Sequence, residues 1–107
     1  MPAEFVKVCG VSELAEGALK TVIIEDKVIL LARYKGDVYA LDDVCTHDGA
    51  ELADGDIVDG QIQCVRHGAR FDLKTGAVTR MPAIFGISAY PVKIEDGAIL
   101  VAPNGRE

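Results

Sequence analysis

The chain has 107 residues, half of them apolar, with 17 acidic against 11 basic side chains and a net charge of −6. A chain of this size hides roughly 60–70% of the surface it exposes when unfolded, enough for one modest core and too little for a large catalytic domain. The acidic balance repels phosphate backbones and anionic headgroups, so nucleic acid and membrane surfaces are poor partners, whereas a basic patch on another protein is a good one.

The first residues, Met1-Pro2-Ala3-Glu4-Phe5-Val6-Lys7-Val8, carry an early Glu and no basic-then-apolar pattern, so no signal peptide is readable and a cytoplasmic location is expected. Cys9 closes an expected first strand and has no ligand-spaced neighbour, which reads as a buried, inert thiol. Ser12 is expected to cap a single helical turn through Glu16, stopped at Gly17, because a Ser hydroxyl accepts from an orphan amide of the first turn; no other helix is expected. The longest apolar run, Val28-Ile29-Leu30-Leu31-Ala32, is far short of the ~20 residues of a membrane span. Its lack of alternation marks an interior strand.

Between Lys35 and Arg66 there is no basic residue, while Asp37, Asp42, Asp43, Asp48, Glu51, Asp54, Asp56 and Asp59 all fall there. Residues 43 to 83 are rich in Gly and Asp and poor in strand pattern, so they read as loops inserted between base strands, and loops on a rigid β base are where sites are built. Tyr90, Val92 and Ile94 alternate, and after Asp96-Gly97 so do Ile99 and Val101, which predicts a C-terminal hairpin. Apolar segments rich in Val, Ile and Tyr recur between turn pairs at Lys35-Gly36-Asp37, Asp59-Gly60, Thr75-Gly76 and Asp96-Gly97. Together these predict a single all-β domain over residues 1–107, a small antiparallel sandwich or barrel with a two-loop subdomain at about 43–83.

Cys45-Thr46-His47 and Cys64-Val65-Arg66-His67 form C-x-H and then, sixteen residues on, C-x-x-H; these are the only two histidines. Three cysteines cannot all pair, and a cytoplasmic address argues against disulfides, so Cys45 and Cys64 read as ligands. Two thiolates and two imidazoles on two loops make either a tetrahedral zinc site or half of an iron–sulfur centre. Structural zinc usually takes like ligands paired on one knuckle, whereas each loop here supplies one Cys and one His. That arrangement suits a [2Fe-2S] centre with both thiolates on one iron and both imidazoles on the other.

With Leu52, Gly68, Phe71-Asp72, Gly76, Pro82, Tyr90-Pro91-Val92 and Glu95-Asp96-Gly97 around this motif, the chain resembles the Rieske-type ferredoxins of bacterial ring-hydroxylating oxygenase systems. The resemblance implies that Cys45 and Cys64 bind the inner iron and that His47 and His67 bind the outer, solvent-facing one. It implies that Met81-Pro82-Ala83 closes over the cluster and that backbone amides around Gly49 and Gly68 donate to its sulfides. High-potential relatives place an inter-loop disulfide where this chain has Ala50 and Arg66, and hydroxyl donors where it has Ala69 and Phe71. A potential near the lower end of the family's range of ~ −150 to +300 mV is therefore expected.

The resemblance implies a monomeric one-electron carrier between a flavoprotein NAD(P)H reductase and a terminal oxygenase, with one cluster per chain. It is no oxygenase itself, because a non-heme iron triad needs two further histidines. Alternatives are a Rieske ferredoxin of Fe–S assembly or nitrite reductase, and a zinc-stabilised interaction module without redox function. The acidic run reads either as a solvated face or as a docking surface whose rate of electron delivery falls with ionic strength. Arg66 and Arg70, beside His67, are expected to pair with carboxylates or to orient a partner.

Overall fold

The computed structural model describes residues 4–43, 52–64, 68–80 and 86–104. Its strands are β1 (Val6–Gly10), β2 (Leu19–Ile24), β3 (Lys27–Tyr34), β4 (Asp37–Asp42), β5 (Asp56–Val58), β6 (Gln61–Gln63), β7 (Arg70–Asp72), β8 (Val78–Arg80), β9 (Ala89–Tyr90), β10 (Val92–Glu95) and β11 (Ala98–Val101). They form three antiparallel sheets in the orders β1-β11-β10, β2-β3-β4-β9 and β5-β6-β7-β8.

The sheet β2-β3-β4-β9 contributes to two cores, one on each face. Residues directly opposite in register share a face, and the register pairs Leu30 with Leu41 and Leu41 with Ala89. These residues and Ala32 pack with Leu52, Ile62, Cys64, Ala69, Phe71, Leu73 and Ile87 of the small sheet and its flanks. The alternate set, Ile29, Leu31, Ala40 and Tyr90, packs with Cys9, Leu14, Ile99 and Val101 on the other side. Ile29, Leu30, Leu31 and Ala32 are therefore all fully buried, which is why this run shows no alternation. Burial of each such Leu or Ile contributes about 1.5–3 kcal/mol.

Three turns anticipated from Gly pairs adopt the primed form that matches strand twist, with both central residues at positive φ: Lys35-Gly36, Asp59-Gly60 and Asp96-Gly97. The first is braced from outside by the Glu16 carboxylate, which accepts from the amides of Lys35 (2.6 Å) and Gly36 (2.8 Å). The β2–β3 turn, Glu25-Asp26, also has both residues at positive φ and contains no glycine, so its composition did not announce it.

Three expectations need correction. The turn after β1 is a 3-10 turn over Val11–Glu13, with Gly10 at its head. The Gly10 amide donates to the Glu13 carboxylate at 2.7 Å, and Arg33 Nη1 takes the Leu14 carbonyl at 2.9 Å, so Ser12 is not the cap. A second 3-10 turn occurs at Leu52–Asp54. Residues 43–83 are not only loops: their described part holds the whole of β5-β6-β7-β8, whose three-residue strands are too short to show a periodicity in sequence. Finally, Tyr90 and Val92 lie in different sheets, since β9 pairs with β4 and β10 with β11. Pro91, which has no amide to donate, stands at the switch between them. The hairpin itself runs over β10 and β11 as expected, with Ile94 47% exposed on its edge strand.

Candidate metal centre

Of the four expected ligands, Cys64 is described; Cys45, His47 and His67 lie outside the described residues, as do Gly49, Ala50, Arg66 and Met81-Pro82-Ala83. Among the described residues no three His, Cys, Asp or Glu side chains gather as a metal-holding group. The described residues that flank the expected ligands, however, are well defined.

Cys64 follows β6 and is 1% exposed, within the core that includes Leu52, Ile62, Ala69 and Phe71. Its amide donates to the Ala69 carbonyl at 2.7 Å, and the Gly68 amide returns to the Cys64 carbonyl at 3.2 Å. These two bonds tie Cys64 to Gly68 and Ala69, and Gly68 has φ +76°. The Gly68 amide is thus engaged by the Cys64 carbonyl. Ala69 and Phe71 are both fully buried, so positions that carry hydroxyls in high-potential relatives are here apolar.

The segment around Cys45 leaves β4 through two consecutive carboxylates on opposite faces. Asp42 accepts from Tyr90 Oη and from the Ser88 amide (3.3 Å), and its own amide donates to the Ser88 carbonyl (3.0 Å). Asp43, 5% exposed, accepts from Thr21 Oγ1 at 2.7 Å and from the Ala53 amide at 3.0 Å. Two members of the acidic run are therefore internal supports, while Asp37, Asp56 and Asp59 are exposed. Arg70 Nε donates to Gln63 Oε1 at 2.7 Å, a neutral amide in the adjacent strand β6.

The third flank depends on the absence of a side chain. The Ile87 amide donates to the Gly76 carbonyl at 2.9 Å, and the backbones approach so closely that a Cβ on Gly76 would sit 2.0 Å from the Ile87 carbonyl oxygen. The segment 81–85 is bracketed by this contact on one side and by β8 on the other. A cavity of about 270 Å³ lies elsewhere, lined by Asp37, Tyr39, Leu73, Lys74 and Tyr90, and does not include Cys64.

Cys9 is 7% exposed and packs beside Ile99 and Val101. Burial pushes its thiol above the ordinary range, and the Glu13 carboxylate adds to the shift. The folded thiol thus stays protonated where the unfolded one ionises, so Cys9 costs stability only as pH rises past the unfolded thiol value of ~8.5. A thiol reagent at neutral pH is expected to modify Cys9 at the rate of unfolding; rapid labelling of the native protein would contradict this. Neither Cys9 nor Cys64 forms a disulfide.

An antiparallel β base carrying a small sheet, with Cys64 buried at the end of β6 and a two-Cys, two-His donor set in the sequence, defines a β protein whose candidate donors fit an iron–sulfur cluster. The family model for the Rieske [2Fe-2S] domain matches residues 4–91, and the chain belongs to that family. Its cofactor is a [2Fe-2S] cluster.

Within the family the chain is similar to ferredoxins. It is 34% identical over 101 residues to the ferredoxin component of the naphthalene 1,2-dioxygenase system of Pseudomonas putida, covering 94% of this chain and 97% of the relative. It is 38% identical over 95 residues to the 3-phenylpropionate/cinnamic acid dioxygenase ferredoxin subunit of Shigella flexneri, covering 87% and 88%. The ferredoxin of carbazole 1,9a-dioxygenase from Nocardioides aromaticivorans superposes with a TM-score of 0.91 at 31% identity, covering 95% of this chain and all of that one. The chain is accordingly an electron carrier of the ferredoxin type and not a catalyst. No helix among the described residues is long and apolar enough to cross a membrane.

Proposed function

We propose that this protein passes single electrons from an NAD(P)H-dependent flavin reductase to a terminal non-heme iron dioxygenase that hydroxylates aromatic rings. The observation that carries the reading is the match along nearly the whole of ferredoxins that serve such systems, including one solved in complex with its carbazole 1,9a-dioxygenase oxygenase. That structure has a TM-score of 0.87 at 25% identity, with 99% of this chain and 98% of that one covered.

In this reading residues 1–107 form one cytoplasmic, monomeric Rieske domain, with the cluster-binding subdomain at about 43–83 inserted in the β base. Cys45 and Cys64 hold one iron and His47 and His67 the other. When bound, the cluster supplies a one-electron site that makes and breaks no substrate bond. The apolar backing from Leu52, Ala69 and Phe71 keeps water from the thiolate side, and His47 and His67 give the electron its way in and out. Exposed Asp37, Asp56 and Asp59 favour a basic partner surface.

The test is low-temperature electron paramagnetic resonance of the dithionite-reduced protein, with iron and sulfide counted on the same sample. A rhombic signal with an average g below that of all-cysteine clusters, and two irons with two sulfides, supports the reading. A colourless, silent sample with one zinc overturns it. On the same protein, the midpoint potential is expected near the lower end of ~ −150 to +300 mV, since neither Ala69 nor Phe71 can donate to cluster sulfur. A value well above zero, read by spectroelectrochemical titration, would refute that role for these two positions.

A further inference from the structure

We propose that Arg70 and Arg80 form an anion-accepting pair on the outer face of the small sheet, the docking point for carboxylates on the surface of the protein that exchanges electrons with this one. The inference rests on the reading of Cys64 as a cluster ligand.

The register of the small sheet builds the pair. Ile57, Ile62, Phe71 and Val78 stand opposite one another and line the side that packs on the core. The neighbouring row lies on the other side: Asp56 opposite Gln63, Gln63 opposite Arg70, and Arg70 opposite Arg80. Strand alternation alone would return Arg80, two residues after Val78, to the core side. A register shift between Arg70 and Phe71 takes up Thr79 as an extra residue and leaves Arg80 exposed opposite Arg70. Re-aiming a side chain in this way is a recurrent use of a β-bulge.

Like charges directly opposite each other destabilise a sheet, and nothing among the described residues relieves this pair. Arg70 Nε donates to the neutral Gln63 Oε1 at 2.7 Å, Arg80 is exposed, and the one ion pair among the described residues is Lys93–Glu95, in another sheet. In a chain with 17 acidic side chains against 11 basic ones, two guanidinium groups set side by side without a carboxylate make an arrangement that an external anion completes. The row also lies one ladder step from Cys64, whose amide bonds the Ala69 carbonyl next to the Gln63–Arg70 pair. Arg70 and Arg80 are one and two strands from β6, about 5 and 10 Å at ordinary strand spacing, so a partner docked on them rests over the strand end that carries Cys64.

Carboxylates on a folded protein fit this face better than a chain of phosphates, because a net charge of −6 repels an extended polyanion. Asp56, at the far end of the row and about 14 Å from Arg80 at that spacing, attracts a positive group instead. A partner surface that carries both signs in this order seats in one orientation only.

The experiment uses the reduced, cluster-loaded protein and two small oxidants of opposite charge, hexacyanoferrate(III) and tris(phenanthroline)cobalt(III), each of which takes one electron from the cluster. At low ionic strength the ratio of the anion rate to the cation rate is expected to fall about ten-fold in Arg80→Gln, since one nearby charge acts in opposite senses on two trivalent ions. A change of midpoint potential cancels from this ratio. Arg80→Lys is expected to restore it, and Lys7→Gln, the same loss of charge on exposed β1 of another sheet, to leave it near native. Hexaglutamate is expected to slow the hexacyanoferrate reaction of the native protein and to leave that of Arg80→Gln unaffected. A native ratio in Arg80→Gln, an equal fall in Lys7→Gln, or competition by inorganic phosphate but not by hexaglutamate overturns the inference. Cys64→Ser separates it from the reading beneath it. If that variant keeps a native cluster spectrum, the ligand assignment fails and takes this inference with it. If it loses the spectrum while Arg80→Gln shows a native ratio, only the docking role falls.

Discussion

Replacing His47 or His67 with alanine, or Cys64 with serine, is expected to abolish the rhombic signal of the reduced protein and bring iron and sulfide down to background. In the proposed ligand set each change removes one of four bonds to the cluster, and no other histidine exists in the chain to substitute for either imidazole. Cys64 is held between Ile62 and Ala69 in a fully packed core, so a serine there offers a poor ligand that cannot swing towards solvent for compensation. Because ligand binding contributes to folding, the same variants are expected to melt earlier than the native holoprotein. Cys9→Ser is the matched control: Cys9 packs among Ile99 and Val101 on the opposite side of the central sheet, and its loss should leave the spectrum unchanged. A cluster spectrum disturbed by Cys9→Ser, or intact in His67→Ala, would show that the site is misassigned.

Gly76→Ala is expected to be among the most destabilising of the single-methyl additions, at about 4 kcal/mol or more. Gly76 has φ +78°, and its added Cβ would lie 2.0 Å from the carbonyl oxygen of Ile87 and 2.9 Å from the carbonyl carbon. The obstacle is backbone, so no side-chain rotation relieves it. Separating the two backbones would break the Ile87 amide bond to the Gly76 carbonyl. Gly97→Ala provides the comparison. It shares the positive φ but has nothing within 4 Å of the added carbon, so only the intrinsic strain of about 1–2 kcal/mol applies. Thermal melts of the two variants check this directly, at roughly 4–8 °C per kcal/mol for a domain near this size. Equal melting temperatures would mean that the Gly76–Ile87 contact yields more easily than its geometry indicates.

The two expected effects differ in kind. Histidine loss acts through ligand chemistry and should spare the β1-β11-β10 side of the molecule. The glycine change acts through packing at the junction of the small sheet with the base, and should weaken cluster binding only as a consequence. Far-ultraviolet circular dichroism of each variant with and without iron distinguishes them.

What the amino-acid sequence determined by itself was the chemistry and the class of fold. Cys and His types at C-x-H and C-x-x-H spacing are a local, covalent property, so a candidate donor set could be proposed without tertiary structure, and the Gly-containing turns at Lys35-Gly36, Asp59-Gly60 and Asp96-Gly97 were legible in the same way. The run Ile29 to Ala32 was legible as interior, because continuous apolarity means burial on both faces. The sheet β5-β6-β7-β8 was not, since three-residue strands carry less than two periods of alternation and are held by partners up to eighteen residues away, as in Thr79 Oγ1 donating to Gln61 Oε1. Nor was the break at Pro91, where Tyr90 and Val92 keep the alternation of one strand while pairing with two different sheets. Asp42 and Asp43 show the division most clearly. In sequence they are two charges in an acidic run, equivalent to Asp56 and Asp59. In the fold, strand alternation sends one to Tyr90 and Ser88 and the other to Thr21 and Ala53, on opposite faces. Which carboxylates stay exposed and which are held by other residues depends on contacts across up to 48 positions of chain, and only tertiary structure decides it.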